Sequence, residues 1–357
     1  MEKISFRLAT QNDNQQILDV IHSLSMSGDI EVLYKRDPNF FYGAEIQGFK
    51  NEVLVALNEK DEIVAVGGRT LKKVYVNGFL KTIGYLSDLR VGKNARHLHI
   101  LANGYREMGE LMQMTPAYMH LTTIIEDNKQ ARAALTWKNK HKFIPNYFDV
   151  GRINTYFVLP IFKKNFFKKF EIRNGSVGNI DEIVTFLNQE GAKKQFFPLY
   201  TKEYFMKLRG FNLSDLYVAY SKGKVVGVSA KWKQSSFKQV VLKKYHGKMR
   251  WIKKILGHFL PDENEEIEHI YLAFNVVKNN DLTIFKALFA KIYNDLHKST
   301  VKYFVIAFHE KDPLQKALKG YIKITYKSRL YIADYKTDEE LKALIDDRIP
   351  YIEVATL

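Results

Sequence analysis

The chain has 357 residues, 46% of them hydrophobic and 13% aromatic, so two domains are the default expectation and each could bury a core. The absence of cysteine excludes disulfides, thiolate metal sites and a cysteine nucleophile, and is consistent with a reducing compartment. The formal net charge of +16 favours anionic partners such as nucleotides, RNA or acidic lipid surfaces, although a moderately basic soluble protein has the same charge.

The N-terminal residues do not resemble a targeting segment. The first ten, MEKISFRLAT, lack the apolar core of a signal peptide, and the longest apolar runs, such as 156–162, are too short to span a bilayer. We therefore expect a cytoplasmic protein without a transmembrane segment.

The first 160 residues predict the order strand, helix, three strands, helix, strand, helix, strand. In the first helix, Ile17, Leu18, Ile21 and Leu24 recur at helical spacing. The three consecutive strands are separated by turn residues, which predicts antiparallel pairing. The predicted strands cover 4–9, 52–58, 62–76, 82–91, 118–125 and 150–160. The predicted helices cover 12–24, 96–114 and 128–140.

A weaker copy of this order follows a candidate linker at 161–172. Residues 216–232 parallel 53–70, and residues 301–318 parallel 118–135. Such repetition predicts two copies of one unit of about 160 residues, with chance similarity of two α/β halves as the alternative. The expected domains are 1–165 and 166–335, followed by a C-terminal helix and tail at 336–357.

Each half resembles a GNAT-type N-acetyltransferase domain, the first half in more residues than the second. The resemblance rests on the strand YLSDLRV (85–91), the turn and helix after it, and Asn128, Ala131 and Leu135. It implies an α/β (α+β) fold with two tandem GNAT-like domains, each a mixed, mostly antiparallel central sheet flanked by helices.

The resemblance also implies a co-substrate, acetyl-CoA or another acyl-CoA. In that family the turn after the fourth strand has the pattern Arg or Gln, two residues, Gly, one residue, Gly or Ala, and holds the CoA pyrophosphate at a helix N-terminus. Arg96 matches the first position, but His99 and Leu101 replace the small residues that allow a close backbone approach. The implied CoA-binding residues are Leu89, Arg90, Val91, Arg96, His97, Leu98, His99 and Asn128.

His97 and His99 first suggest a metal site. Residues two apart do not face each other on a helix, and no third ligand lies nearby in the sequence. We therefore predict no metal, and a surface or phosphate-facing role for both.

The implied reaction is attack of an amine on an acyl thioester, which needs a base, an oxyanion donor and an acid for the thiolate. Asp88 and Glu126 are the candidate bases, and a structural ion pair is the alternative for each. Backbone N–H groups of Arg90 or Val91 are candidate oxyanion donors. Where the family often has a proton-donating tyrosine this chain has Leu135, so Tyr147 in the following loop is the candidate acid.

A basic insertion occupies residues 234–268 of the second half. We predict one apolar stripe with basic flanks, which suits a membrane surface, a tRNA backbone or an acidic protein. The alternative is a helix packed on its own domain, with solvated lysines partly neutralised by the run DENEEIE. The predicted stripe comprises Val241, Tyr245, Met249, Ile252, Leu256 and Phe259.

The sequence thus favours an acyl-CoA-dependent N-acyltransferase, with acetyl as the default acyl group, acting on an amine of a small molecule or a peptide. One alternative is an aminoacyl-tRNA-dependent or long-chain acyl transferase with tandem GNAT-like domains, which suits the missing glycines and the positive charge. The other is a non-catalytic acyl-CoA-binding protein that kept the fold.

Overall fold

The computed structural model of the chain describes residues 3–26, 28–92, 95, 98–137, 141–165, 169–255, 257 and 260–357. The strands are β1 (Ser5–Leu8), β2 (Ile30–Lys35), β3 (Lys50–Leu57), β4 (Ile63–Val76), β5 (Phe79–Val91), β6 (His120–Ile125), β7 (Asn146–Val158), β8 (Glu171–Asn174), β9 (Phe197–Pro198), β10 (Leu216–Ser221), β11 (Lys224–Trp232), β12 (Gln239–Tyr245), β13 (His269–Val277), β14 (Tyr303–His309) and β15 (Lys323–Asp334). The helices are α1 (Asn14–His22), α2 (Phe40–Glu45), α3 (Leu98–Met114), α4 (Lys129–Thr136), α5 (Ile180–Gly191), α6 (Lys202–Lys207), α7 (Gly247–Ile255), α8 (Leu282–His297) and α9 (Asp338–Ala343).

One large sheet runs through both halves of the chain. Its strand order is β1-β3-β4-β5-β6-β15-β7-β14-β13-β11-β10-β8, and β9 pairs with β4. Most neighbouring strands are antiparallel, while β5 with β6 and β13 with β14 form parallel pairs at corresponding places in the two halves. The predicted mixed, mostly antiparallel sheet flanked by helices is confirmed.

The two halves exchange strands at the centre of this sheet. β15, from the second half, lies between β6 and β7 of the first half, and β7 pairs with β14 on its other side. Hydrogen bonds therefore join the halves directly, and the division of the chain near residue 165 remains a prediction.

The helices bury apolar faces on this sheet. In α8, Phe285, Leu288, Phe289 and Ile292 are buried, as their spacing predicts, and Asp281 caps the helix by accepting a hydrogen bond from the Thr283 N–H at 2.6 Å. Burying each such side chain contributes about 1.5–3 kcal/mol to folding. Among the described residues, no helix combines the length and the apolar composition needed to cross a membrane.

The basic insertion differs from the single stripe that the sequence predicts. Residues Gln239–Tyr245 form β12, which pairs antiparallel with β2, from Gln239↔Lys35 to Tyr245↔Ile30. Val240 and Leu242 alternate with more exposed neighbours, a period of two that belongs to a strand, and the α-helix α7 begins only at Gly247. The partner strand lies about 200 residues earlier, which local periodicity cannot reveal; Leu256 and Phe259 lie outside the described residues.

A β-bulge interrupts each strand that begins a parallel pair. Asp88 in β5 has φ +51° and Phe274 in β13 has φ +56°, both in the left-handed region. The register of β4 with β5 passes from Gly68↔Ser87 to Val66↔Arg90, so one residue faces two. The parallel registers end early, at Tyr85↔Leu121 in the first half and Tyr271↔Val305 in the second. Beyond these points each half has an opening between the two strands; we call them the first opening and the second opening.

Candidate active site

The first opening leads into a cavity of about 290 Å³ that is lined by residues of both halves. This volume lies near the lower limit of typical ligand pockets, which is roughly 300 Å³. One end lies against α3 and is apolar, whereas the other end lies against β2, β12, β13 and β15 and carries polar side chains.

The apolar end is formed by one face of α3 and by small residues of β3 and β4. Ile100, Gly104 and Met108 follow each other at four-residue spacing in α3 and share the face that lines the cavity. Ala56 and Ala65, on β3 and β4, also line the cavity and pack in one buried cluster with Ile100. A chain of methylene groups would find apolar atoms here.

The polar end contains a buried ion pair. Asp88 Oδ1 lies 3.4 Å from Arg36 Nη2, and the two side chains are 13% and 8% exposed. The bulge places Asp88 on the cavity wall, and Arg36 follows β2, which no residue pattern had singled out. A carboxylate held by a guanidinium in this position can accept a proton from a bound amine.

Lys238 is a second buried cation at the polar end. Its Nζ donates hydrogen bonds to the carbonyl oxygens of Ala355, at 3.1 Å, and Leu357, at 2.6 Å. Burial, reinforced by the neighbouring Arg36 charge, lowers the pKa of Lys238 well below its ordinary value, although Asp88 and Glu353 act in the opposite direction. This amine therefore loses its proton far more readily than a surface lysine.

Three tyrosines complete the polar end. Burial raises the pKa of Tyr34, Tyr271 and Tyr326 above the ordinary value, so each keeps its hydroxyl proton at neutral pH. Buried hydroxyls of this kind orient polar groups of a ligand by hydrogen bonding.

Of the predicted catalytic residues, Asp88 and Tyr147 line the cavity together. Tyr147 lies on β7, which starts at Asn146 rather than at residue 150, and its hydroxyl is 2.5 Å from that of Tyr105. Burial raises the pKa of Tyr147 well above its ordinary value, with Tyr105 acting in the same direction. A tyrosine that keeps its proton is a candidate donor to a thiolate.

Glu126 lies elsewhere, just beyond the end of β6. Its Oε1 accepts hydrogen bonds from Arg152 Nε, at 2.8 Å, and from Arg329 Nε, at 2.9 Å. Burial favours the neutral acid, but the two arginines outweigh it and lower the pKa of Glu126 below the ordinary value. Among the described residues that line the cavity, Ile125 is its nearest neighbour in sequence.

Several predicted CoA-binding residues surround the same cavity. Leu89, Arg90 and Val91 line it at the end of β5, and burial lowers the pKa of Arg90 while Asp88 opposes this effect. Asn128 also lines the cavity, where its side chain caps α4 by accepting a hydrogen bond from the Ala131 N–H at 3.0 Å. These residues line the cavity at the end of β5 and at the start of α4.

The turn before α3 is described only in part. His99 is exposed in the first turn of α3, and Leu98 is the first residue of that helix. Arg96 and His97 lie outside the described residues. Their role at a CoA pyrophosphate therefore stays a prediction.

The second opening is occupied by the chain itself. Glu353 Oε2 accepts hydrogen bonds from the bulge N–H of Phe274 and from the Tyr351 hydroxyl, both at 2.7 Å. The predicted C-terminal segment thus contacts both halves, because Tyr351 N also donates to Gln195 O at 2.8 Å and Val354 lines the cavity of the first opening. Burial raises the pKa of Glu353.

Sequence reasoning missed the residues of the polar end. Four residues of this end lie in or directly beside four different strands: Arg36, Lys238, Tyr271 and Tyr326. They meet because β2 pairs with β12 and β15 enters the sheet beside β6. Each belongs to a residue type that is abundant in this chain, with 55 Lys plus Arg and 21 Tyr. Spacing in the sequence therefore carries no signal that separates them from surface residues.

The chain matches no family model. It also matches no curated protein by sequence. Solved structures do match it: Saccharomyces cerevisiae N-myristoyltransferase with bound myristoyl-CoA has 12% identity and a TM-score of 0.64, over 94% of this chain and 80% of that one.

Two acetyltransferase structures match as well. A GCN5-related glucosamine N-acetyltransferase region of a fungal multi-domain β-N-acetylglucosaminidase has 14% identity and a TM-score of 0.65, over 93% of this chain and 38% of that one. A GCN5-related N-acetyltransferase from Anabaena variabilis has 10% identity and a TM-score of 0.54, over 94% and 73%. This chain therefore has a GNAT-type fold, which confirms the expectation drawn from strand 85–91.

Proposed function

We propose that this protein is an acyl-CoA-dependent N-acyltransferase that uses acyl groups longer than acetyl. The observation that carries the proposal is the cavity at the first opening, which joins an apolar end along α3 to a polar end containing Asp88. The likeness to an N-myristoyltransferase that binds myristoyl-CoA supports the same class of donor.

The size and lining of the cavity support a chain longer than the acetyl group that the sequence favours. An apolar cavity of about 150 Å³ holds one benzene molecule, so a cavity of about 290 Å³ has room at its apolar end for an acyl group several carbons longer than acetyl, with the acceptor at the polar end. Ile100, Gly104 and Met108 offer these carbons an apolar wall. An acetyl group would leave most of this surface uncovered.

In the proposed complex the CoA part lies at the end of β5 and the start of α3. The first N–H groups of a helix lack intrahelical partners and attract phosphate, and Arg90 adds positive charge nearby. Arg96, His97 and His99 remain candidates for the same contact. The thioester then lies beside the bulge at Asp88, between the two ends of the cavity.

The proposed reaction begins when Asp88 accepts a proton from the acceptor's ammonium group, which frees the nitrogen lone pair. The nitrogen attacks the thioester carbonyl, and the oxygen of the tetrahedral intermediate takes a hydrogen bond from the backbone N–H of Val91, which points away from β4. The C–S bond then breaks, the thiolate receives a proton from Tyr147, and the neutral amine of Lys238 takes the second proton of the amide nitrogen. Tyr147 regains its proton from solvent. Lys238, with its lowered pKa, is a second group able to accept a proton.

The acceptor is proposed to be an amine of a small molecule or a peptide, bound at the polar end among Tyr34, Tyr271 and Tyr326. The tandem arrangement of residues 1–165 and 166–335 is retained in the proposal, with catalysis assigned to the first opening. A tRNA partner, a cytoplasmic location and a purely binding role are kept as expectations from the sequence.

The test is a release assay with saturated acyl-CoAs of increasing length and a panel of amines and N-terminal peptides. Since the chain has no cysteine, a thiol reagent detects released CoA without background from the protein. Amine-dependent release that is faster with long than with acetyl donors is expected. Saturable binding without release would point to the non-catalytic alternative, and the absence of binding to any acyl-CoA would contradict the proposal.

A further inference from the structure

A second surface, distant from the cavity, has the composition of a lipid-binding element. We call it the α7 face and define it by apolar Trp251, Ile252 and Ile255 together with basic Lys248, Arg250 and Lys254. Trp251 is 68% exposed, Ile255 80% and Ile252 37%. Adjacent exposed aromatic and branched side chains on one short helix indicate a surface that binds a partner.

Contacts on the inner side of α7 fix which way this face points. Met249 is buried, and Lys253 Nζ donates to Leu260 O at 2.8 Å and to Asp262 Oδ1 at 2.7 Å. At 100° per residue, Trp251 lies about 180° around the helix from the mean direction of Met249 and Lys253. Ile255 follows Trp251 by four residues, so the two form one outward stripe.

The basic residues lie on both sides of this stripe. Lys248, Arg250 and Lys254 are exposed, and Lys254 Nζ lies 5.1 Å from the centre of the Trp251 ring. The salt bridges among the described residues include none to these three side chains.

Three carboxylates of the neighbouring acidic run, residues 262–268, lie close to lysines outside the α7 face. Asp262 binds Lys253, Glu268 binds Lys233 at 2.6 Å, and Glu265 lies 3.9 Å from Lys302. The α7 face therefore presents apolar side chains between positive charges that form no salt bridge with a described carboxylate.

We propose that the α7 face docks on an anionic lipid membrane. Tryptophan and isoleucine can enter the boundary between headgroups and acyl chains, while the flanking lysines and arginine meet negative headgroups. An RNA backbone would satisfy the cations but would leave the isoleucines in water. Only a surface with both negative charge and an apolar layer can pair with the basic side chains and also remove the apolar side chains from water.

The α7 face and the cavity lie at opposite ends of one ribbon. β12 leads from Gln239, next to Lys238 in the cavity wall, to Tyr245, next to the helix. Six residue steps of a strand span about 20 Å. Changes on the α7 face are therefore expected to leave acyl-CoA binding intact, which separates this proposal from the proposed function.

The test is co-sedimentation with phosphatidylcholine vesicles, with and without phosphatidylserine. The full chain is expected to bind the phosphatidylserine vesicles more tightly, and added salt is expected to weaken binding. The double variant Trp251→Ala/Ile255→Ala should lower the partition coefficient about tenfold. Trp137→Ala is the matched control, because Trp137 is also exposed, at 63%, but lies outside this face.

A charge series gives a second measurement. Lys248→Glu/Lys254→Glu is expected to remove the preference for phosphatidylserine, whereas Lys60→Glu/Lys298→Glu, with the same charge change at exposed positions elsewhere, is expected to retain it. Thermal unfolding confirms that each variant folds. Three results would each overturn the proposal. They are equal vesicle binding by all variants, no vesicle binding at all, and tRNA binding that Trp251→Ala/Ile255→Ala leaves unchanged.

Discussion

The first and second openings share a backbone design but differ in what fills them. Each follows a short parallel pairing and a bulge at a residue with positive φ, Asp88 in one half and Phe274 in the other. The first opening contains a cavity, whereas in the second the carboxylate of Glu353 accepts the bulge N–H of Phe274.

This difference shows that two bulges of similar backbone geometry can have different surroundings, which their side chains decide. Phe274 is fully buried in an aromatic cluster with Tyr200 and Phe205, with ring centroids 5.1 and 4.9 Å away. Asp88 instead lies on a cavity wall beside Arg36. The bulge of β13 thus binds a side chain of the chain itself, whereas the bulge of β5 adjoins a cavity.

The largest expected effect is on turnover, at the bulge of the first opening. Asp88→Asn removes the proposed base but keeps a residue that tolerates positive φ, so kcat should fall about a thousandfold. The free energy of unfolding should change by less than about 1 kcal/mol. CoA release and urea unfolding measure the two quantities.

The matched control is Asp61→Asn, the same change at an exposed residue with φ +59°. Its activity should equal that of the unchanged protein. Full activity of Asp88→Asn would remove the proposed chemical difference between the two openings.

In the second opening the expected effect is on the free energy of unfolding. Glu353→Ala leaves the Phe274 N–H and the Tyr351 hydroxyl buried without an acceptor, which should lower the free energy of unfolding by about 3 kcal/mol. Glu353→Gln retains one acceptor oxygen and should cost about half as much. Urea unfolding measures both, and a neutral effect of Glu353→Ala would mean that the segment does not fill a structural gap.

Lowering the pH should lower the free energy of unfolding through His120, which lies at the start of the first opening. Burial, and then the charge of Arg69, lower the pKa of His120 from 6.5 to about 4. Between these values the unfolded chain binds a proton that the folded chain does not, so stability falls as the pH decreases. The loss from about pH 7 to pH 5 should be about 2 kcal/mol.

The check is urea unfolding at both pH values for the unchanged protein and for His120→Gln, whose side chain can still accept the hydrogen bond from Arg69 Nε. The variant should show a flatter pH dependence. His269, at the start of the second opening, also has a pKa lowered by burial and should supply a remaining slope of the same sign. An identical slope for both proteins would contradict the assignment to His120.

The smallest expected effect is on acyl chain length. A Cβ at Gly104 would meet Phe6 Cε1 at 3.5 Å, an ordinary contact, so Gly104→Leu is tolerated while its branches enter the cavity. The ratio of kcat/KM for long over short acyl-CoAs should fall about tenfold. Gly109→Leu is the control in the same helix, because its Cβ would meet Tyr335 Oη at 3.5 Å, away from the cavity; equal ratios for the two variants would contradict the acyl assignment.

Local patterns predicted much of this fold. The strand 85–91, the α3 helix, the helix that follows Asn128 and the core face of α8 depend on neighbours within a few residues, which the sequence displays directly. Asp88 and Tyr147 also meet at one cavity, as their place beside the predicted strands implies.

Contacts between residues far apart in the sequence could not be predicted from it. The β2–β12 ribbon brings Arg36 and Lys238 to the cavity, and Glu353 reaches Phe274 across 79 residues. Such contacts follow from the shape of the assembled sheet rather than from spacing along the chain. The polar end and the filled second opening could therefore be found only in the structure.

The most direct test of the difference between the openings is calorimetric titration with a thioether analogue of a long-chain acyl-CoA, which cannot transfer its acyl group. One ligand per chain is expected, with affinity about tenfold weaker in Gly104→Leu and unchanged in Glu353→Gln. Two ligands per chain, or an affinity that depends on Glu353 and not on Gly104, would contradict the assignment of the acyl site to the first opening.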